Sequence, residues 1–235
     1  MRGAWLSGLL FASTVMTSAM GATPQAAPPP PAVGAPIRPQ DSVFAHPATP
    51  SQLSVLTGAT ARSIANAKVV RGRFVQRRHL AGLSRPLESS GTFVFARETG
   101  IDWHTKLPFD SQFLLTGSHI TQRDEGGVSL EIDAAEQPAL AVVSRVFFAL
   151  FALDLEALSH DFELYGESAG NAGWVLGLKP RTTALASVFR QALVRGRDSV
   201  TRVTLEDGNG DASEIEFHDV EFDSRALTPD ERRRF

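Results

Sequence analysis

An almost entirely apolar run, residues 139–153, restricts the fold of this chain more than any other part of the sequence. Thirteen of its 15 residues are apolar, and only Ser144 and Arg145 are not. The run follows Pro138 and ends at Asp154, a typical N-cap for a further short helix. A helix this apolar has no solvent face. It is also shorter than the about 20 residues of a membrane span, and it has an arginine near its middle.

Two interpretations of this run stay open. It is an ordinary core helix, or it is a lid over an apolar cavity with the lid side chains Leu140, Val143, Phe147, Phe148 and Phe151. Side chains of the predicted strands could line such a cavity, or they could fill it as ordinary core residues. The candidate acyl-binding residues that line the cavity are Phe74, Phe93, Phe95, Trp103, Phe113, Leu115, Trp174, Leu176 and Leu178.

The rest of the folded part combines one early helix with many short strands. Thr49 and Pro50 predict a helix start, and apolar residues then recur at helical spacing to about residue 67. Beyond it the period changes to two, which predicts an α+β fold with an antiparallel sheet that curls or closes. The DGNGD turn at 207–211 predicts a hairpin. The strand-like runs are 69–76, 88–97, 100–105, 111–116, 119–123, 129–132, 162–166, 173–178, 199–206 and 214–222, and residues 182–192 are helix-like.

The N-terminal 50 residues are not expected to belong to this fold. Residues 1–22 have Arg2, a short apolar stretch and then small residues, which is the pattern of a cleaved secretory signal. Residues 23–50 hold nine of the 14 prolines and predict an extended linker, either a spacer or an inert segment. We therefore expect a domain over 51–228 and a C-terminal tail over 229–235.

Composition excludes several kinds of chemistry. The chain has no cysteine, so disulfides, thiolate catalysis and cysteine-bound zinc are impossible. The net charge of −3 gives no reason to expect nucleic-acid binding. No H-E-x-x-H or G-x-S-x-G pattern occurs, so we expect no metal, no cofactor and no catalytic residue. The six histidines are His46, His79, His104, His119, His160 and His218.

Arg97 is the charged residue that a lid would need. Strict alternation places it on the same strand face as Phe93 and Phe95. An arginine that faces inward needs a partner, because an unpaired buried charge is costly. It could hold backbone carbonyls of the lid or a ligand's polar head, or the strand could end before it and leave it in solvent.

A pair of glutamates and a cluster of arginines can each be interpreted either as a functional site or as an ordinary solvated surface. Glu214 and Glu216 share a strand face, which favours a solvated surface over a glycosidase pair. A local basic patch is either a solvated outer face or a docking site for anionic headgroups or an acidic partner. Its members are Arg71, Arg73, Arg77, Arg78 and Arg85.

Several of these segments together resemble the LolA family of periplasmic lipoprotein carriers over about residues 50–222. The first half has an F-x-Q strand, an S-G strand entry, a turn arginine, an apolar-x-Trp strand and a P-F-D-S segment. The second half matches at GWVLGLKP, 173–180, and at LEDGNGDASEIEF, 205–217. The residues that carry the first-half resemblance are Phe74, Gln76, Ser90, Gly91, Arg97, Ile101, Trp103, Pro108, Phe109, Asp110 and Ser111.

The resemblance implies an incomplete, strongly curved antiparallel β-barrel with a helical lid over an apolar cavity. That cavity would shelter acyl chains of lipoproteins, or a related lipid, that cross the periplasm. The donor would be an inner-membrane ABC transporter and the recipient an outer-membrane acceptor, with the carrier a monomer. Arg97 matches a family arginine that contacts the lid, and residues 139–153 fall where lid helices are expected. A periplasmic interaction module with a filled core and a hydrolase with an unrecognised site are the alternatives.

Overall fold

The computed structural model describes residues 41–117, 119–133, 138–187 and 189–235. Side chains are described for these residues except 41, 42, 138–143 and 184. The predicted signal, 1–22, and most of the predicted linker, 23–40, lie outside the described residues. The α-helices are α1 (Pro50–Asn66), α2 (Pro138–Ala152), α3 (Leu155–Asp161), α4 (Thr183–Ala186) and α5 (Pro229–Arg232), and short 3-10 helices cover Asp41–Ala45 and Gly170–Ala172.

Eleven strands form one antiparallel sheet in the order β6-β5-β4-β3-β2-β1-β11-β10-β9-β8-β7. Strands β6 and β7 are its two edges, so the described sheet is not closed. The α+β class and the large antiparallel sheet are therefore confirmed. The strands are β1 (Val69–His79), β2 (Leu87–Ala96), β3 (Gly100–Leu107), β4 (Ser111–Thr116), β5 (His119–Asp124), β6 (Gly127–Asp133), β7 (Phe162–Ser168), β8 (Trp174–Pro180), β9 (Gln191–Gly196), β10 (Val200–Glu206) and β11 (Ala212–Asp223).

Helix α1 begins where the sequence predicts it. The Thr49 hydroxyl accepts from the Gln52 N–H, and the Gln52 side chain accepts from the Thr49 N–H, which together form a capping box. The apolar face of the helix is buried through Leu53 and Ile64 in the main core. Just before the helix, the Ala48 N–H donates to the Leu164 carbonyl at 2.7 Å and so ties this segment to the edge strand β7.

The sheet has an inner face that carries the main core and an outer face that carries smaller clusters. On β2, Phe93 and Phe95 belong to the main core, whereas Val94 and Ala96 pack on the opposite side with Val69. Helix α2 packs on the inner face, where the Phe151 ring lies 6.0 Å from that of Phe93 and 5.6 Å from that of Phe95. The apolar helix α2 is therefore packed against apolar side chains of the sheet.

Strand β9 was not predicted from the sequence, and the helix-like run 182–192 is wrong except for the four residues of α4. Alternation is lost in β9 because both of its faces are covered. Ala192 and Val194 belong to the main core, whereas Leu193 packs on the other side with Val43 and Val175. A short strand whose central residues, 192–194, are all apolar gives no period-two signal.

Gly91 is required by the close approach of two strands. It pairs with Phe74 of β1 on one side and with Thr105 of β3 on the other. A Cβ atom at this position would lie 1.9 Å from the carbonyl oxygen of His104. Pairing shifts between Ser90 and Gly91, so the ladder is already irregular here. The S-G strand entry therefore has a steric cause.

The C-terminal segment covers the outer face of β1–β3. Leu227 packs against Val69, Val94 and Ala96, and the Arg234 guanidinium lies 2.9 Å from the Asp102 carboxylate. In α5, Glu231 accepts hydrogen bonds from Arg71, at 2.6 Å from Nε to Oε1 and at 2.8 Å from Nη2 to Oε2. These bonds hold the C-terminal segment on the sheet.

The same bonds make the stability of the protein depend on acid pH. The hydrogen bonds from Arg71 lower the pKa of Glu231 from its ordinary 4.5 to about 2, against the opposing effect of burial. A lowered carboxyl pKa stabilises the fold above pH 4.5, and the contribution is lost as the pH falls from about 4.5 through about 2. We expect Glu231→Gln to lower the free energy of unfolding by about 2 kcal/mol at pH 7, and by less at pH 2.

Urea unfolding at a series of pH values measures this difference. Glu98→Gln is the control, because Glu98 is exposed in the β2–β3 turn and makes no ion pair in the described part of the chain. It should leave the pH profile unchanged. A Glu231→Gln protein with the wild-type profile would contradict the assignment.

Substitution of Gly91 tests the close approach of β2 and β3. We expect Gly91→Ala to destabilise the fold by about 3 kcal/mol, because the new methyl group can be accommodated only by separating the strands. Gly126→Ala is the matched control, since nothing lies within 4 Å of its Cβ position. Thermal unfolding of both variants measures the effect, and equal stabilities would show that the strands separate easily.

Candidate functional site

A pocket of about 360 Å³ lies between helix α2 and the inner face of the sheet. This volume is within the range of small-molecule sites. Residues from both halves of the sheet line it, including Phe93, Trp103 and Phe113 on one side and Val194 and Val203 on the other. Phe147, Leu150 and Phe151 line it from the helix. The deeper part of the pocket is therefore almost wholly apolar.

Aromatic rings give this part its shape. The rings of Phe74 and Trp103 stack with centroids 3.9 Å apart. The Phe217 ring meets Phe93 at 5.3 Å and Trp103 at 6.1 Å, in both cases edge to face. The two edge-to-face contacts have a favoured aromatic geometry, and together with the close stack they form an aromatic wall.

Only part of the predicted lining reaches the pocket. Phe93, Trp103, Phe113 and Leu178 line it. Phe74, Phe95, Leu115, Trp174 and Leu176 are all buried but do not line it.

The predicted lid residues divide in a similar way. Phe147 and Phe151 line the pocket, whereas Phe148 packs with its ring 6.3 Å from that of Phe95. The side chains of Leu140 and Val143 lie outside the described residues.

Trp174 has a different role from the lining. Its indole N–H donates to the Thr60 hydroxyl at 3.3 Å, and that hydroxyl donates to the Arg197 carbonyl at 2.6 Å. The tryptophan therefore attaches α1 to the far half of the sheet.

Arg97 lies in the turn after β2, because the strand ends at Ala96. Its side chain is exposed, and its Nη2 donates to the Ile64 carbonyl in the last turn of α1 at 3.3 Å. The described contact thus joins β2 to α1 and not to α2. The sequence allowed either a solvated arginine or one that binds a helix carbonyl. In the structure the Arg97 side chain is exposed and also donates to a helix carbonyl.

Helix α2 carries its one charge on the side away from the pocket. The Arg145 guanidinium donates to both carboxylate oxygens of Asp161 at 2.9 Å. Asp161 ends α3, so the pair ties the two helices together. About half of the Arg145 side chain is exposed, which explains how so apolar a helix tolerates a cation.

One end of the pocket is polar, and this feature was missed from the sequence. Gln76, Arg78 and Asp207 line the pocket there. Burial raises the pKa of Asp207, and the charge of Arg78 opposes the rise. Alternation from Gln76 places Arg78 on the inner face, but its arginine neighbours suggested an outer patch. Strict alternation along β1 would have placed Arg78 on the inner face, although not at a pocket.

The basic patch is otherwise divided among ion pairs on the outer face. Arg71 forms ion pairs with Asp223 and Glu231. Arg73 pairs with Asp219. Arg77 pairs with Glu88 and Glu216. Arg85 lies exposed in the β1–β2 loop.

The carboxylate pair is not on a solvated face as expected. The Glu214 side chain is only 8% exposed and lies 3.8 Å from both Arg77 and Arg202. Glu216 accepts from Arg202 at 2.6 Å. Both carboxylates belong to a cluster of ion pairs between strands.

The polar end of the pocket opens to solvent between exposed apolar side chains. Leu87 and Phe109 both line the pocket, and 44% and 62% of their surfaces are exposed. Leu83, in the β1–β2 loop, and Leu107, at the end of β3, are also exposed. In the described part of the chain no three or more histidine or acidic side chains cluster as a metal site, and no helix is long and apolar enough to cross a membrane.

The family model for LolA, the outer membrane lipoprotein carrier protein, matches residues 65–230. This match spans well over half of the sequence, so the chain belongs to the LolA family. The resemblance drawn from the sequence is thereby confirmed. No curated protein sequence matches the chain significantly.

Among solved structures, a LolA superfamily protein from Nitrosomonas europaea is similar at 14% identity, with a TM-score of 0.38 over 73% of this chain and 96% of that one. A putative outer membrane lipoprotein-sorting protein domain from Vibrio parahaemolyticus has 8% identity and a TM-score of 0.39 over 77% and 97%. MucB has 14% identity and a TM-score of 0.38 over 77% and 62%. The family assignment rests on the sequence match alone.

Proposed function

We propose that this protein is a periplasmic carrier that shelters the acyl chains of a lipoprotein, or of a related lipid, in the pocket beneath α2. The single observation that supports this most is an unfilled apolar space of about 360 Å³ under an apolar helix. Membership of the LolA family points to the same kind of cargo. A module with a filled core would leave no such space.

The physical demand on a carrier matches this arrangement. Burial of an alkyl chain is worth about 0.8 kcal/mol per CH₂ group, so a 16-carbon chain needs on the order of 10 kcal/mol from a dry surface. The aromatic wall and the apolar face of α2 can supply that surface. Transfer requires release and no bond making, so we propose a binding function without catalysis.

Helix α2 is the part that we propose to act as the lid. It contacts the sheet through ring packing, and its one described ion pair holds it to α3. Packing of this kind can open without loss of a sheet hydrogen bond. Arg97 is the proposed latch: its hydrogen bond is to the end of α1, and α1 in turn contacts α2. The donor would be an inner-membrane ABC transporter and the recipient an outer-membrane acceptor.

Native mass spectrometry of protein purified from the periplasm tests the proposal. We expect a bound lipid or acylated peptide whose mass identifies the cargo class. Ala192→Phe should greatly reduce the fraction of protein that carries this ligand, because Ala192 lines the pocket and a phenyl group would fill it. Val55→Phe is the control, since Val55 is 84% exposed on α1. Folded wild-type protein that never carries an apolar ligand would refute the carrier function.

A transfer assay tests the latch. We expect Arg97→Leu to speed the release of a fluorescent lipopeptide to acceptor vesicles by about 5-fold, because one hydrogen bond is worth about 1 kcal/mol. Arg62→Leu removes an exposed arginine of α1 that makes no ion pair with the described residues, and it should not alter the rate. Equal rates in the two variants would remove Arg97 from the opening step.

A further inference from the structure

The inner face of the sheet changes from apolar to polar over a few rows of side chains toward the pocket mouth. Phe93, Trp103 and Phe113 are paired across β2–β4 in the apolar part. In the next row toward the mouth, Thr105 and Ser111 are paired.

On β1 the same change continues beyond this row. Gln76 pairs with Ser89, and Arg78 comes next on the same face. We call the six pocket-lining residues Gln76, Arg78, Ser89, Thr105, Ser111 and Asp207 the polar belt.

Two members of the belt are almost completely buried. Gln76 is 7% and Asp207 6% exposed. The Gln76 carbonyl oxygen accepts from the Ser89 hydroxyl at the long distance of 3.5 Å, and within the described residues its amide group donates no hydrogen bond. Buried polar groups are almost always hydrogen-bonded, because desolvation is otherwise uncompensated. A polar group that enters the pocket can therefore supply the hydrogen-bond partner that the Gln76 amide lacks among the described residues.

The charges of the belt indicate which kind of partner fits. Its charged members are one cation, Arg78, and one carboxylate, Asp207, which interact with each other. The nearby Glu88 also lines the pocket and pairs with Arg77. A phosphate or a carboxylate gains from one member and is repelled by the other, and the same holds for a cationic head. An uncharged head that donates and accepts hydrogen bonds can satisfy both.

We propose that the polar belt is a head-group site for an uncharged, hydrogen-bonding lipid head, built from hydroxyl or amide groups. The inference rests on the proposed carrier function and adds the class of cargo. The alkyl chain lies along the aromatic wall, and the head stays between the belt and the exposed Leu87 and Phe109 at the mouth. The belt thereby fixes the direction in which a lipid enters.

Calorimetric titration with dodecyl compounds below their micelle concentrations tests the site. The probes share one chain and differ in the head: a maltoside, an N-acylated dipeptide amide, a phosphate and a trimethylammonium. We expect at least one of the two uncharged heads to bind about 10-fold tighter than either charged head. Preference for the maltoside identifies a sugar-like cargo, and preference for the dipeptide amide identifies a lipopeptide.

Variants of the belt show whether this selectivity arises there. Gln76→Leu keeps the size of the side chain and should weaken binding of the preferred head by about 5-fold, with little effect on the charged probes. Thr92→Leu is the control, because Thr92 lies on the opposite face of β2 and does not line the pocket. A thermal melt of each variant confirms that it is folded before titration.

The outcomes separate the two proposals. If all four probes bind equally and Gln76→Leu does not change their affinities, the pocket binds alkyl chains without distinguishing their head groups. Only the head-group site is then overturned. If a charged head binds most tightly, the charge argument is overturned. If no probe binds and native mass spectrometry finds no ligand, the carrier function and the head-group site fail together.

Discussion

The pairing of β1 with β11 is the interaction on which the rest of the structure depends. These strands lie about 130 to 150 residues apart in the sequence, and they pair from Val69 with Asp223 to His79 with Ala212. Strand β1 also pairs with β2 along its length, so it joins the two halves of the sheet. Without this junction, the walls of the pocket would belong to two separate sheets.

Much of this fold could be predicted because its strands alternate. The helix start at Thr49, the short helix after Asp154 and the hairpin at 207–211 are all confirmed, since each depends on local chemistry. Strand β9 was missed because cover on both faces removes the alternation. Glu214 was placed in solvent because a strand face does not reveal that arginines from β1 and β10 lie across it.

The candidate site was harder to predict than the fold. Alternation says which face a side chain is on, but not how far it lies from a pocket. Phe93 and Phe95 share a face, yet only Phe93 lines the pocket, while Phe95 packs against the rings of α2. Arg78 was grouped with its basic neighbours, although the pairing of β1 with β2 places it beside Leu87 at the mouth. The polar end of the pocket is a product of strand register, which no single segment contains.

The unjoined edges of the sheet have a consequence for the range of ligands. Since β6 and β7 are not hydrogen-bonded to each other, the curvature of the sheet can relax without breaking any backbone ladder. A closed cylinder of fixed strand number and stagger has a fixed bore. Here no closed strand ladder fixes the width of the apolar space, so a carrier of the proposed kind would be able to widen for a thicker or longer hydrocarbon and narrow again after its release.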